Sequence, residues 1–236
     1  MKALILAAGL GSRLQHKTAD VPKAMVEVGG LPIISHQIRA LQDNDINEVG
    51  VVLGYKSVIL KDYLLSTHPE IIFSFFLNQR YDSSNSAYSF FMAAEFVKGD
   101  QYIHLNCDIL FAHELLSQLI GSSNENVIAV SFEERLADNM ELVAVDEDNK
   151  ITTMDNVYFE GAVGKAFGLA KLSPESSFLI LEKIKHHIAA DDYNQNYYGI
   201  IRQAVKEIDY HCVDSSNLLL SEINTLSDYQ RVLHKI

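Results

Sequence analysis

Near the start of the chain, the stretch "LILAAGLGSRLQHKTADVPKA" carries an apolar run into two glycines, an arginine and a proline-lysine pair. These residue types suit phosphate. Gly9 and Gly11 let the backbone approach an anion closely, and successive N–H groups in such a turn form a nest for phosphate oxygens. Arg13 adds a forked, permanently charged donor, and Lys23 adds a point charge on a flexible stem. Pro22 restricts the backbone on either side of itself, which helps to aim the lysine. The spacing offers a nest and two cations for two different phosphate groups. Taken by themselves, two glycines in such a loop read equally well as turn residues.

The string is neither the G-x-G-x-x-G of dinucleotide binding nor the G-x-x-x-x-G-K-S/T of a P-loop. As an ordered whole, "LAAGLGSRL" followed by "PKAM" resembles the signature of the nucleotidyltransferases that join a nucleoside triphosphate to a phosphorylated small molecule. The resemblance implies that Leu6, Ala7, Ala8 and Gly9 line the base and ribose. It implies that Gly11, Ser12 and Arg13 hold the triphosphate and that Lys23 contacts the reacting phosphates, so that Arg13 and Lys23 are the catalytic cations. One departure is visible: relatives often place a proline-leucine pair before the threonine, whereas Gln15, His16 and Lys17 precede Thr18 here. The path of that loop is left open.

Nucleotidyl transfer demands charge neutralisation, normally by Mg²⁺ on hard oxygen ligands. Asp108, ending "QYIHLNCD", matches the family's metal-binding aspartate; its other reading is a helix cap. Towards the C-terminus, "SEINTLSDY" resembles the family's acidic-Ile-Asp-Thr ending, with Asn224 at the matching position and Glu222 two residues earlier on the same strand face. Either completes the Mg²⁺ site, or Asn224 and Thr225 only cap the last helix.

The stretch "LNQRYDSSNSAYSFFMAAEF" stands where sugar-phosphate members carry a glycine-threonine-small-residue segment. It looks like the cytidylyltransferase branch acting on phosphocholine, 2-aminoethylphosphonate and phosphoglutamine. Tyr81, Asn85 and Ser89 match that branch's pattern, and Asn78 sits where the superfamily places an amide that reads the base. The resemblance therefore puts Asn78, Tyr81 and Asn85 on the nucleotide and Ser89 on the acceptor, while capping of the following helix remains the other reading of this loop. A quaternary ammonium is best held by an aromatic box with tryptophan, and the chain has no Trp. Met140 stands where choline-directed relatives carry one. Glu141, Asp138, Tyr197 and Tyr198 are candidate acceptor contacts, Met140 and the two tyrosines reading equally as core. The resemblance implies transfer of CMP from CTP to a small phosphate-bearing acceptor, with release of pyrophosphate. Sugar-1-phosphate uridylyl or thymidylyl transfer is the alternative, and a nucleotide-binding protein without turnover is a third reading.

These groups need a scaffold that brings distant segments to one edge. Apolar runs at 2–6, 48–53, 71–77, 101–105 and 127–132 predict strands. They alternate with helical patterns at 31–42, 58–65, 87–97 and 114–120. Such β-then-α alternation implies a three-layer α/β fold with a mostly parallel, Rossmann-like sheet, ligands lying at the strands' carboxyl ends. From about residue 140, "LVAVDEDNKITTM" reads as a hairpin, hence a small antiparallel lobe within one domain spanning 1–236. Helices follow at 173–190 with Pro174 in the first turn, at 197–206, and from a Thr225/Asp228 capping box.

Composition limits the partners. A net charge of −12 with 19 dispersed Lys and Arg argues against a nucleic-acid surface. No apolar segment approaches the ~20 residues of a bilayer helix, and the run 3–8 is too short for a signal-peptide core, so the expected setting is cytoplasmic and away from membranes. Cys107 and Cys212 lack metal-ligand spacing and read as free thiols. Among nine histidines, His186 and His187 point apart on a helix and His104 alternates in a strand, so zinc is not expected. Association into a homo-oligomer is compatible with all of this.

Overall fold

A computed structural model of the chain describes residues 1–215 and 217–235. Strand β1 (Lys2–Ala7) explains the layering. Ala3, Ile5 and Ala7 enter one apolar cluster, while Leu4, Leu6 and the following Ala8 enter another on the opposite face. A strand buried on both faces requires helices on both sides.

Two short 3₁₀ turns, Ser12–Thr18 and Lys23–Met25, lead to β2 (Glu27–Val28), β3 (Leu31–Pro32) and α1 (Ile33–Gln42). The alternation continues with β4 (Glu48–Leu53), α2 (Ser57–Thr67), β5 (Ile72–Leu77), α3 (Ser86–Val97) and β6 (Tyr102–Asn106). Then come β7 (Ile109–Phe111), α4 (His113–Gly121), β8 (Val127–Ser131), β9 (Leu142–Val145), β10 (Ile151–Asp155) and β11 (Gly164–Leu172). The chain closes with α5 (Pro174–Ala189), α6 (Tyr197–Ala204), β12 (His211–Asp214), β13 (Leu220–Glu222) and α7 (Leu226–Leu233). No helix is long and apolar enough to cross a membrane among the described residues.

The main sheet has the order β10-β9-β11-β6-β1-β4-β5, with β8 joined to β11 and β12. Strands β6, β1, β4 and β5 are parallel, and β11 runs antiparallel to β6, β8 and β9. Helices α1, α2 and α4 pack on one face and α3, α5 and α6 on the other. After β1 the chain builds outward to β4 and β5, then returns across β1 to β6. Strand order therefore reverses at β1, and the crevice beyond the carboxyl ends of β1 and β6 is the switch point where such sheets bind ligands.

The hairpin of "LVAVDEDNKITTM" forms as β9 and β10, its turn held by Asp146, whose Oδ1 accepts from the backbone N–H groups of Asp148 and Lys150 at 3.0 and 2.9 Å. It is continuous with the main sheet through β11. Thr225 and Asp228 make both bonds of the capping box, and Ser173 caps α5 ahead of Pro174. Strands β2, β3, β7 and β12 hold two to four residues each, too few for a periodic signal.

One buried polar cluster ties the sheet to α6. The hydroxyls of Tyr102 and Tyr197 are 2.8 Å apart, and the His104 ring stacks on Tyr197 with centroids 4.2 Å apart. His104 is fully buried; burial pulls its pKa from 6.5 down to about 3, partly opposed by its contact with Asn106. The native state therefore binds fewer protons than the unfolded chain between those values, and this group's contribution is complete above pH 6.5 and declines as pH falls. Its slope is up to ~1.4 kcal/mol per pH unit. Glu141 and Glu222, both raised, act in the opposite sense above the ordinary carboxylate pKa. In urea unfolding between pH 6.5 and 5, wild type should lose about 1 kcal/mol more stability per pH unit of acidification than His104→Gln. Equal slopes in the two proteins would refute this role.

Candidate active site

A crevice of about 670 Å³ lies at the switch point. Its first wall is the loop after β1. Gly11 sits in the left-handed region at φ 65°, and a Cβ there would lie 2.9 Å from Lys23 Cβ and 3.0 Å from Thr18 Cγ2. Both strain and space therefore demand glycine, and the contact brings the two ends of the loop together. Gly9 meets nothing within 4 Å of an added Cβ, so its bareness serves the open cleft rather than the fold. Gln15, one of the residues that depart from the family's pattern, breaks the 3₁₀ turn at φ 52°, ψ −120°. Lys17 then reaches α7, 3.4 Å from the Tyr229 hydroxyl and 4.4 Å above its ring.

Lys23 is almost buried. Its Nζ donates to Asp108 Oδ2 at 2.6 Å and to Asn224 Oδ1 at 2.7 Å, and Arg13 Nη2 donates to the same Asn224 oxygen at 2.9 Å. Asp108 lies in the turn after β6, two residues beyond that strand's end. The C-terminal groups arrive there because β13 pairs antiparallel with β7, setting Glu222 opposite Ile109, and Ile223 N–H donates to the Asp108 carbonyl at 2.9 Å. Asn224 Nδ2 lies 3.5 Å from Glu222 Oε2, which also takes a 3.0 Å contact from Lys165 Nζ. One network thus joins Arg13, Lys23, Asp108, Asn224, Glu222 and Lys165.

Burial raises the Glu222 carboxyl above its ordinary range; Lys165 opposes the shift and Asp108 reinforces it. Glu141 is raised for the same first reason, opposed by Arg202. Cys107, beside Asp108, is a buried free thiol pushed up to about 12 by burial first and the neighbouring carboxylate second, so it is no nucleophile. Asp108 Oδ1 is buried without a hydrogen-bond partner in the protein. This orphaned oxygen, the Glu222 carboxylate and the Asn224 amide oxygen are hard donors of the kind Mg²⁺ takes, so the residues present fit the ion.

Of the residues singled out in the sequence, Leu6, Ala8, Gly9, Gly11, Ser12, Arg13 and Lys23 line the cleft. So do Asn78, Tyr81, Asn85, Ser89, Asp108, Glu141, Glu222 and Asn224, together with Asp138 and Met140. Three do not. Ala7 is buried on the far face of β1, because side chains alternate along a strand and its neighbours Leu6 and Ala8 take the cleft side. Tyr197 and Tyr198 are 0% and 3% exposed. They occupy the inward face of α6, the Tyr198 hydroxyl donating to the Phe167 carbonyl and Tyr197 pairing with Tyr102. Both tyrosines are buried in the core and do not line the cleft.

Asn78 is spent on its own loop: its amide donates to Ser84 and Ser89 at 3.1 and 3.0 Å and its oxygen accepts from Arg80 N–H at 2.9 Å. It holds the segment 78–89 in place. Asn85 caps α3 through Ser86 N–H at 2.8 Å and still faces the cleft. Lys165 escaped the sequence reading, as did Arg202, whose Nε is 3.6 Å from Glu141. For Lys165 the available signal was a charged residue within the apolar stretch "GKAFGLA".

Comparison with known proteins identifies the family. The model of the MobA-like NTP transferase domain matches residues 3–211. A CTP:phosphoglutamine cytidylyltransferase from Campylobacter jejuni is 40% identical over 136 residues, 55% of this chain and 52% of that protein, so this match spans about half of the relative. The choline-phosphate cytidylyltransferase of Streptococcus pneumoniae is 26% identical over 235 residues, 98% of this chain and 96% of that one. Among solved structures, the pneumococcal CTP:phosphocholine cytidylyltransferase superposes with a TM-score of 0.81 at 21% identity, covering 99% of this chain and 98% of its own. The inositol-1-phosphate CTP transferase of T. maritima gives 0.82 at 21% identity, over 99% and 95%. These two show the shared fold. With its domain model matched along most of its length and the cleft at the expected switch point, the chain belongs to the MobA-like NTP transferase family and is a nucleotidyltransferase.

Proposed function

We propose that the protein transfers CMP from CTP to a small phosphate-bearing acceptor and releases pyrophosphate. The observation that carries this reading is the meeting of Arg13, Lys23, Asp108 and Asn224 at the end of β1. The relatives' substrates, phosphoglutamine, choline phosphate and inositol-1-phosphate, support the acceptor class.

An oxygen of the acceptor phosphate forms a bond to the α-phosphorus of CTP while the bond from that phosphorus to the α,β-bridging oxygen breaks in line. No protein nucleophile is needed, so the protein's part is positioning and electrostatics. Arg13, exposed and tethered to Asn224, takes the departing pyrophosphate oxygens. Lys23 carries its charge to the α-phosphorus, where negative charge gathers in the transition state. The nest around Gly9 and Gly11 supplies backbone N–H groups for the triphosphate. Asp108, with Glu222 and Asn224, would hold Mg²⁺, which supplies Lewis-acid neutralisation of the phosphates. Among the described residues no group of three or more His, Cys, Asp or Glu side chains is set to hold a metal, so phosphate oxygens and water would complete the ion's shell.

Pyrophosphate release, measured for CTP, UTP, dTTP and GTP against phosphocholine, phosphonates, phosphorylated amino acids and hexose phosphates, tests the reaction. CTP with a non-sugar phosphate should be the productive combination; turnover confined to UTP or dTTP with a hexose phosphate would overturn it. Lys23→Ala should lower kcat by about 100-fold or more with an unchanged circular dichroism spectrum. Near-normal turnover by that variant would remove Lys23 from the chemistry. Asp108→Asn should raise the half-saturating Mg²⁺ concentration at least about ten-fold, because the anionic ligand is lost while its shape is kept. An unaltered Mg²⁺ profile would place the ion elsewhere.

A further inference from the structure

We propose that Lys165 binds the phosphate group of the acceptor, giving the cleft a second anion subsite apart from the triphosphate loop. The inference rests on the CMP-transfer reading above. Three cations line the cleft, and two of them, Arg13 and Lys23, belong to the loop after β1. Lys165 stands instead on β11. Glu222 touches it, and Asp138 and Glu141 line the same cleft. A dianionic acceptor approaching that wall meets like charge unless a cation receives it. Lys165 is the one lining cation placed there among the described residues.

The state of its ammonium points the same way. The side chain is only 13% exposed, with Nζ 3.0 Å from Glu222 Oε2 and 4.2 Å from the centre of the Phe167 ring. An ammonium has three N–H donors, and among the described residues Glu222 takes one as the single hydrogen bond of this group. A charge so nearly withdrawn from water is costly unless its donors are met, and phosphate oxygens would meet the other two. Glu222 and Phe167 already fix the group, so little ordering entropy remains to be lost on binding.

Position completes the case. From Lys165 the hydrogen-bond path runs through Glu222 Oε2 and the Asn224 amide to Lys23, at 3.0, 3.5 and 2.7 Å. An acceptor phosphate at one end and the triphosphate at the other would thus share one cleft, as in-line attack requires. A purely structural Lys165–Glu222 pair would make no distinction between the two anions.

The test uses the full chain with Mg²⁺ and two probes: α,β-methylene-CTP, which cannot undergo the transfer, and inorganic phosphate followed by ³¹P NMR. The wild-type protein saturated with the analogue should bind phosphate; Lys165→Met should weaken that binding about ten-fold or more while the analogue's affinity stays within two-fold. Lys165→Arg should recover part of the loss. Phosphate affinity equal in wild type and Lys165→Met, or no phosphate binding by wild type, overturns the proposal. Loss of analogue affinity in its place would move Lys165 to the triphosphate and overturn it equally. Failure of wild type to bind the analogue would instead refute the CTP reading, and the same wild-type and Lys165→Met comparison with phosphate alone then decides the lysine. Should Lys165→Met not fold, Lys165→Gln takes its place.

Discussion

One ammonium shared between a carboxylate and an amide oxygen, Lys23 between Asp108 and Asn224, is the contact on which the cleft depends. Its three members lie far apart in the chain, separated by 85 and 201 residues, so it exists only when the sheet, the β7–β13 pair and the opening loop have all formed. A lone buried cation would be destabilising, and a lone buried carboxylate equally so. Each makes the other tolerable. Asn224 then serves two cations with one oxygen, which draws Arg13 to the same place.

This arrangement leaves the site incomplete in a specific way. Among the described residues, Asp108 keeps one oxygen without a partner, Gly9 leaves open space, and Lys165 keeps two donors. Protein interiors rarely leave buried polar groups unmet, and exceptions mark function. The orphans here are of opposite kinds: an acceptor suited to a metal ion and donors suited to phosphate. Burial also raises the Glu222 carboxyl, an effect that Lys165 opposes.

Much of this was legible in the sequence, and particular residues show why. The glycine-arginine and proline-lysine signals name their chemistry because few residue types supply a nest and two cations in one loop. Strong apolar alternation fixed the long strands, and the Thr225/Asp228 box marked the start of α7. Tyr197 and Tyr198 were ambiguous because an aromatic ring with a hydroxyl suits both a binding pocket and a core, and only the positions of Tyr102 and the Phe167 carbonyl decide between them. Ala7 turns its side chain away from the cleft because a motif runs along the chain whereas side chains alternate across a strand. Lys165 could not be connected to Glu222, 57 residues away, without the pairing of β7 and β13.

The most direct measurement is a crystal structure with α,β-methylene-CTP and Mg²⁺. The account predicts a single triphosphate at the carboxyl end of β1, its oxygens within hydrogen-bonding distance of the Arg13 guanidinium and the Lys23 ammonium. The metal should be bound by Asp108. A nucleotide seated elsewhere, or one touched by neither cation, would contradict it.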